Sequence, residues 1–319
     1  MRPALLALSL LLALAAVPVA QQPAAPVRRM VVTIDDLPYV ARGPGGYLPA
    51  AQRDTAAILS ALSKHGVPAV GFVNENTLEA PTADERTARV ALLEQWVAAG
   101  HVLGNHTFSH PDANRLTVAA YLDDIDKGEV VTRRLMRSRR PYTLFFRHPM
   151  THTGDTAEKK AGITQGLASR GYTIAPHTIE NSDYLYDLVY ARADAALRAK
   201  LAEDYLSHTI AATGFAERKA RELFGRDDVP QTLLIHTMAI NADHLDALLG
   251  RLVARGYSFM TLEAAMRDPA YATPDAYVGR HGPSWLFRWS RTIAPASNFS
   301  ADPEVPAWVM ALFQAAQRR

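Results

Sequence analysis

Residues 242–260, ADHLDALLGRLVARGYSFM, contain the pattern that decides the fold class. Five aliphatic side chains recur there at spacings of one, three and four residues: Leu245, Leu248, Leu249, Leu252 and Val253. This spacing predicts a helix over residues 242–255 with one apolar face. Gly256 ends the helix, and the run from Tyr257 to Met260 has the length and composition of a strand. The stretch therefore predicts one helix-to-strand unit.

The same succession of helix, glycine and strand recurs at Gly66, Gly100 and Gly171. Seven apolar runs of the chain have strand length: Met30–Ile34, Pro68–Val73, His101–Leu103, Thr143–Phe146, Tyr172–Ala175, Thr232–Ile235 and Tyr257–Met260. Strands that alternate with helices predict an α/β fold with a parallel sheet. Their spacing fits both an open sheet and a closed barrel.

Two segments depart from this alternation and set the expected domain organisation. Residues 184–225 read as a long helical insertion, and residues 269–319 as a C-terminal extension that contains Pro and Trp, with a final helix from about Pro306. No linker rich in Pro, Gly or Ser divides the chain. We therefore expect one domain over residues 30–268, including the insertion, with the extension packed on it.

The first twenty residues have the composition of a signal peptide. Arg2 precedes an apolar run from Leu5 to Val17, and small residues around Ala20 suit cleavage. The run is too short for a comfortable membrane span, although an uncleaved interfacial anchor is the alternative. We expect export to the periplasm or the extracellular space, an extended lead-in over residues 21–29 and no stable membrane span in the mature chain.

Composition narrows the function classes. The 319 residues include 34 Lys+Arg and 32 Asp+Glu, so the formal charge of +2 argues against a nucleic-acid binder. The absence of cysteine excludes a thiol nucleophile, disulfide bonds and cysteine-bound zinc, so a metal ion would need His, Asp or Glu ligands. Neither a Gly-rich phosphate loop nor a Gly-x-Ser-x-Gly motif is present.

Two groups of residues suited to metal chemistry follow predicted strands. Asp35 and Asp36 come directly after the first strand, where a lone carboxylate is commonly a turn or cap residue. His106 and His110 follow the third strand, four residues apart in a loop, and two such imidazoles can converge on one metal ion. Together the two groups favour a metal site.

Three further polar residues stand at strand ends: Arg147 after the fourth strand, Asp183 after the fifth and His236 at the sixth. In parallel barrels and open α/β sheets, working residues gather where the carboxyl ends of the strands meet. The sequence thus predicts that five strand ends contribute to one site.

Five stretches in chain order carry these residues: Thr33-Ile34-Asp35-Asp36, Asn105-His106-Thr107-Phe108-Ser109-His110-Pro111, Phe146-Arg147-His148-Pro149, Asp183-Tyr184 and Leu233-Leu234-Ile235-His236. They resemble the five motifs of the polysaccharide deacetylases, carbohydrate esterase family four, also called NodB-homology domains. The resemblance covers roughly residues 30–265, and the second motif is the most specific. It implies a distorted (β/α)7 barrel and a divalent metal ion, usually zinc.

The resemblance also implies the parts of the metal centre. Asp36, His106 and His110 would be the ligands, and Asp35 would be the general base. Three protein ligands leave coordination positions open for water and substrate.

The remaining motif residues would act around this centre. His236 would protonate the departing amine, Asp183 would orient and charge His236, and Arg147 would hold the base ionised. The Met150 N–H would be an oxyanion donor, with Tyr184 at the substrate edge. Structural alternatives are a buried strand-end histidine at 236, a helix cap at 183 and a plain ion pair at 147.

Departures from the family motifs concern substrate contacts more than ligands. Leu37-Pro38 replaces the usual Gly-Pro, His148 and Met150 flank Pro149, and Tyr184 replaces Trp. With His152, His148 also lies near the predicted site. These changes affect which sugar is recognised more than the reaction.

The sequence-based hypothesis is an exported, metal-dependent deacetylase that removes N-acetyl groups from an N-acetylhexosamine-containing glycan, its partner being that acetylated glycan. One alternative is an O-acetyl polysaccharide esterase with the same site. Another is a non-catalytic carbohydrate-binding protein with a structural metal.

Overall fold

The computed structural model describes residues 27–41 and 46–318. The predicted signal peptide and most of the predicted lead-in lie outside these ranges. The strands are β1 (Arg28–Leu37), β2 (Val70–Val73), β3 (Val102–Asn105), β4 (Phe145–Phe146), β5 (Thr173–Ile174), β6 (Ile179–Glu180), β7 (Gln231–His236) and β8 (Tyr257–Phe259). The α-helices are α1 (Tyr47–Lys64), α2 (Ala83–Ala98), α3 (Val118–Lys127), α4 (Val130–Met136), α5 (Ala157–Ser169), α6 (Asp183–Tyr190), α7 (Ala195–Phe224), α8 (Ala239–Ala254), α9 (Leu262–Ala265), α10 (Trp285–Ile293) and α11 (Ala307–Gln317).

All strand pairings in the sheet are parallel. The strand order is β5-β4-β3-β2-β1-β7-β6, with β8 paired to the start of β1. The central strand β1 pairs with β7 from Met30 to Asp35 and with β8 from Arg28 to Met30. The register places Asp35 opposite His236, so the ends of β1 and β7 stand side by side.

The short connection between the two edge strands shows that the sheet curls. Only residues 175–178 separate β5 from β6, and an extended chain from Ile174 to Ile179 spans at most about 18 Å. Seven strands laid flat would separate the same edges by roughly 29 Å. The sheet therefore forms the distorted (β/α)7 barrel that the resemblance implies, bridged at its open side by this connection.

All seven predicted strands occur, and an eighth, β6, was missed. This strand has two residues, too few for an apolar run to reveal it, and it exists because Ile179 and Glu180 pair with Leu233 and Leu234 of β7. Asp183, predicted to follow the fifth strand, is separated from that strand by β6. Asp183 follows β6 and opens α6.

The core lies between β1 and the surrounding helices. Met30, Val31, Val32 and Ile34 are fully buried, as expected for a central parallel strand covered on both faces. Helix α8 buries its four predicted leucines completely, each contributing about 2 kcal/mol of hydrophobic free energy. Val253 is 47% exposed, so it lies at the edge of the apolar face.

The predicted insertion consists of α6 and α7, and the extension packs against it. Helix α10 contacts α7, and α11 contacts α6. Trp285 and Trp289 of α10 are buried. Within residues 27–41 and 46–318, no helix combines the length and apolar character needed to cross a membrane.

Candidate metal centre and active site

Asp36, His106 and His110 come together at the carboxyl ends of β1 and β3. One ligand atom from each lies within 4.8 Å of the others. Asp36 Oδ1 is 3.6 Å from His106 Nε2 and 3.5 Å from His110 Nε2, which is too long for a normal hydrogen bond. Ligands around a tetrahedral zinc ion with bonds near 2.0–2.1 Å are separated by roughly 3.3 Å. The spacing therefore suits three ligands of one ion.

The protonation of the donor set also fits a cation. Asp36 Oδ1 is buried without a hydrogen-bond partner in the described residues. His106 Nδ1 lies 2.7 Å from the Arg147 carbonyl oxygen, so Nδ1 donates there and the Nε2 lone pair faces Asp36. Burial, with the charge of His110, holds the pKa of His106 well below its ordinary value. A neutral imidazole is the form that binds metal.

Strained backbone is concentrated around this centre. In the described ranges, six non-glycine residues have φ between 52° and 70°: Asp36, Thr107, His110, Met150, Thr151 and Ser182. Each is a predicted site residue or its immediate neighbour. The left-handed conformation costs about 1–3 kcal/mol for such residues and persists only where the surroundings impose it. The fold thus fixes the chain most tightly where the site lies.

The loop that carries both histidines is anchored by two residues that the sequence-based prediction missed. Asp124 of α3 accepts hydrogen bonds from the N–H groups of Phe108 and Ser109 at 2.9 Å and from the Ser109 hydroxyl at 2.7 Å. The Asn105 side chain accepts from the Thr107 N–H at 2.6 Å. Asn105 lies in the second motif, whereas nothing in the helical pattern around Asp124 distinguishes it.

Asp35 lies beside the metal centre, with its Oδ2 3.8 Å from His106 Nε2. Asp35 is 2% exposed, and burial raises its pKa while the charges of Arg147 and His236 oppose the rise without cancelling it. Arg147 makes no ion pair with Asp35 within 4.0 Å in the described residues. Its Nη2 instead donates to Thr33 Oγ1 at 2.9 Å. Arg147 therefore affects the pKa of Asp35 through its positive charge and not through a direct ion pair. Its guanidinium is held by Thr33, which precedes Asp35 by two residues on β1.

His236, which is partly exposed to solvent, forms a pair with the buried Asp183. Asp183 Oδ1 is 2.8 Å from His236 Nδ1, and Oδ2 accepts from the His236 N–H at 2.7 Å. Burial alone lowers the pKa of His236, but the charge and hydrogen bond of Asp183, with Asp36 and Asp35, raise it to about 10. Burial raises the pKa of Asp183, yet the charge of His236 and the hydrogen bonds leave it lowered. Asp183 does not cap α6, whose N-cap is Ser182.

Asn241 and the insertion complete this pair, and no motif in the sequence predicts either contribution. Asn241 Nδ2 donates to Asp183 Oδ2 at 2.7 Å and to the His236 carbonyl at 2.9 Å. Tyr205 of α7 donates to Asn241 Oδ1 at 2.5 Å. The inner face of α7 therefore supports the predicted acid.

A pocket of about 510 Å³ opens over these residues, a volume in the usual range for small-molecule sites. Seven of the nine predicted site residues line it: Asp35, Asp36, His106, His110, Met150, Tyr184 and His236. Arg147 and Asp183 lie outside the lining. Glu180 of β6 and Gly282 of the extension contribute to the wall without having been predicted.

Met150 and Tyr184 are the exposed apolar residues of this wall, at 45% and 38%. Met150 lies in a short 3-10 turn, Pro149–Thr151. Its N–H makes no hydrogen bond to residues in the described ranges. A free N–H at a pocket wall is what an oxyanion donor requires.

The two histidines near the pocket differ in environment. His148 is 1% exposed, and its Nδ1 lies 3.2 Å from the Tyr121 hydroxyl. His152 lines the pocket and pairs with Asp112 at 2.8 Å. His148 is thus part of the core, whereas His152 belongs to the wall.

Residues 23–166 match the family model for polysaccharide deacetylase. A chitin deacetylase from Colletotrichum lindemuthianum is 29% identical over 133 residues, which are 41% of this chain and 48% of that protein. A peptidoglycan-N-acetylglucosamine deacetylase from Bacillus cereus is 35% identical over 82 residues, 25% of this chain and 26% of that protein. The chain thus matches less than half of the length of either of these two relatives.

Among solved structures, a carbohydrate esterase family four pseudoenzyme from Bacillus anthracis is 16% identical, with a TM-score of 0.49 over 76% of this chain and 66% of that one. The matched residues 23–166 include the first three of the five motifs, with all three predicted ligands. The similarity to the polysaccharide deacetylase family that the motifs predict is therefore confirmed over residues 23–166.

Proposed function

We propose that this protein is an exported, metal-dependent deacetylase that hydrolyses N-acetyl groups of an N-acetylhexosamine-containing glycan. The observation that carries the proposal is the convergence of three ligand atoms within 4.8 Å, with an acid and a base lining the same pocket. The two relatives named above are deacetylases of chitin and of peptidoglycan N-acetylglucosamine. Their shared substrate chemistry supports an N-acetylhexosamine unit.

Asp36, His106 and His110 would hold the ion, for which zinc is the first choice because imidazole and carboxylate are common zinc ligands. A bound divalent ion lowers the pKa of a water molecule and polarises a carbonyl oxygen. Asp35 stands beside the ligand Asp36 in the pocket wall, and its Oδ1 has no hydrogen-bond partner in the described part of the chain. In this proposal Asp35 accepts the proton of the attacking water.

His236 supplies the second proton transfer. It faces the pocket on one side and Asp183 on the other, and its raised pKa keeps it protonated at neutral pH. A protonated imidazole can donate to the nitrogen of the departing amine, while Asp183 keeps the ring oriented. The Met150 N–H would stabilise the negative charge that develops on the acetyl oxygen.

The acid favours an amide substrate over an ester. An amine is a poor leaving group unless it is protonated, whereas an alkoxide depends on this less. We expect His236→Ala to lower acetate release from an N-acetyl substrate far more than from an O-acetyl polysaccharide. Equal losses on both substrates would favour the O-acetyl esterase.

The decisive experiment combines metal analysis with acetate release. Purified protein is expected to contain about one zinc ion per chain and to release acetate from N-acetylglucosamine oligomers until a chelator removes the metal. Asp36→Ala should abolish both, while Asp112→Asn, which changes a carboxylate that contacts His152 and not the ligands, should retain both. Full activity after chelation would refute the proposal. Binding of metal and oligomer without acetate release would favour a non-catalytic protein.

Export is proposed on the basis of residues 1–20 alone. Expression of the full chain in a bacterial host, followed by fractionation and N-terminal sequencing, should give a mature protein that begins near Gln21 outside the cytoplasm. Recovery of an intact N-terminus from the membrane fraction would instead support an interfacial anchor.

A further inference from the structure

The C-terminal extension reaches the pocket at Gly282. Thr151 Oγ1 donates to the Gly282 carbonyl oxygen at 2.6 Å. A Cβ atom added to Gly282 would lie 2.0 Å from Thr151 Oγ1 and 2.1 Å from the Met150 carbonyl oxygen. Only glycine allows so close an approach, so the backbone of the extension lies directly against the turn that contains Met150.

Arg288 joins the same turn to the extension from the buried side. Its side chain is fully buried, and Nη2 donates to the Thr151 carbonyl oxygen at 2.7 Å. Nη1 donates to Thr153 Oγ1 and to Asp275 Oδ2, both at 3.1 Å, and Nε donates to the Pro283 carbonyl at 3.0 Å. A guanidinium presents its donors in a rigid fork, so this one group fixes two segments relative to each other.

The turn needs such external support. Met150 and Thr151 both have φ of 52°, and Thr151 is β-branched, which makes this conformation especially unfavourable. Arg288 donates a hydrogen bond to the carbonyl oxygen of Thr151, and Gly282 lies against the carbonyl oxygen of Met150. Together they restrain the backbone on the C-terminal side of the Met150 N–H.

We propose that Arg288, with Gly282, is a positioning residue that holds the Met150 N–H in place as the oxyanion donor. This inference rests on the proposed function and extends it: the extension completes the catalytic pocket of this chain. Arg288 does not contact the pocket itself. It acts through the turn.

The test compares Arg288→Met, Arg288→Lys and the matched control Arg291→Met. Arg291 lies on the same helix and contacts Phe287 and the Ser297 carbonyl, away from the turn. Deleting one oxyanion donor costs about 10²- to 10³-fold in kcat, so we expect its displacement in Arg288→Met to lower kcat per bound zinc at least ~10-fold. KM should stay within about two-fold. Arg288→Lys keeps one donor for Thr151 and should be intermediate, and Arg291→Met should match the wild type.

Amide hydrogen exchange gives a readout that does not depend on activity. Exchange in residues 148–153 should quicken in Arg288→Met and stay unchanged in Arg291→Met, with or without zinc. Should Arg288→Met fail to fold, Gly282→Ala tests the same claim from the other side, and it is expected to lower kcat while zinc binding is retained.

Three results would overturn the inference: unchanged kcat in Arg288→Met, equal losses in Arg288→Met and Arg291→Met, or faster exchange without any loss of kcat. When Arg288→Met does not fold, full activity of Gly282→Ala overturns it as well. Absence of acetate release by the zinc-loaded wild type would be the failure of the proposed function itself. That outcome is recognised before any variant is compared.

Discussion

Replacing Asp183 with Asn tests how the fold charges His236. Asp183 is 1% exposed and accepts three hydrogen bonds, two from His236 and one from Asn241. Asn keeps the size of the side chain but removes the charge that raises the pKa of His236. We expect the variant to lose stability and to lose activity above neutral pH.

The magnitude follows from the pKa of His236. A rise from 6.5 to about 10 corresponds to roughly 5 kcal/mol. Asp183 supplies the largest favourable share and Asp36 and Asp35 supply the rest, so we expect the free energy of unfolding to fall by about 3 kcal/mol at neutral pH. Because the folded pKa is raised, this contribution is complete below about pH 6.5 and is lost as the pH rises through about 10. It is also lost in acid, as the pH falls through the lowered pKa of Asp183.

The effect on acetate release depends on pH. A loss of about 3 kcal/mol would lower the pKa of His236 from about 10 to roughly 8, so the ring would be protonated in about half of the molecules at pH 8 and in roughly 9% at pH 9. Asp183→Asn should therefore lower kcat on an N-acetyl oligomer about 2-fold at pH 8 and about 10-fold at pH 9, and hardly at all at pH 6.

The measurements are urea unfolding at pH 7, kcat between pH 5.5 and 9, and NMR titration of the His236 ring. The control is Asp243→Asn. Asp243 lies on α8, as Asn241 does, but its carboxylate accepts a hydrogen bond from the Tyr190 hydroxyl of α6. A His236 pKa that stays near 10 in the variant, or a kcat profile parallel to that of the wild type, would refute the reasoning.

Three other changes test what supports the site. Asn241→Leu removes the amide that donates a hydrogen bond to Asp183. Because the buried carboxylate then lacks one donor, the free energy of unfolding, measured in urea, should fall by about 2 kcal/mol. The pKa of His236, measured by NMR, should also fall. Asp124→Ala deletes three hydrogen bonds to the loop that carries His106 and His110. Zinc affinity should fall by about 10-fold in a competition titration. An unchanged affinity would show that the loop keeps its shape without these bonds. Gly104→Ala brings a Cβ within 2.6 Å of Phe72 and 3.0 Å of a backbone oxygen, so the midpoint of thermal unfolding should drop by an amount equivalent to about 1–3 kcal/mol, whereas an unaltered midpoint would mean that β3 can shift.

The strands and the site residues on them could be predicted because their signals are local. A buried parallel strand is a run of apolar residues, and a residue that follows such a run stands at the carboxyl end of the sheet whichever strands pair. Strand β6 could not be predicted, because two residues have no periodicity of their own and pair only in the presence of β7. The roles of Asp124 and Asn241 could not be predicted for a related reason. Each residue forms hydrogen bonds to a segment that is distant in sequence, Asp124 to the loop after β3 and Asn241 to Asp183.

Short stretches of sequence suffice to predict the α/β class, the alternation of helices and strands, and the residue types that can bind a metal ion, because periodicity and chemical identity are local properties. Three findings required the folded chain: Asp36 lies 3.5–3.6 Å from two imidazoles, Thr33 rather than Asp35 accepts a hydrogen bond from Arg147, and the extension supports the Met150 turn. Distances between distant stretches arise from strand pairing, closure of the sheet and burial, and these depend on the whole chain at once.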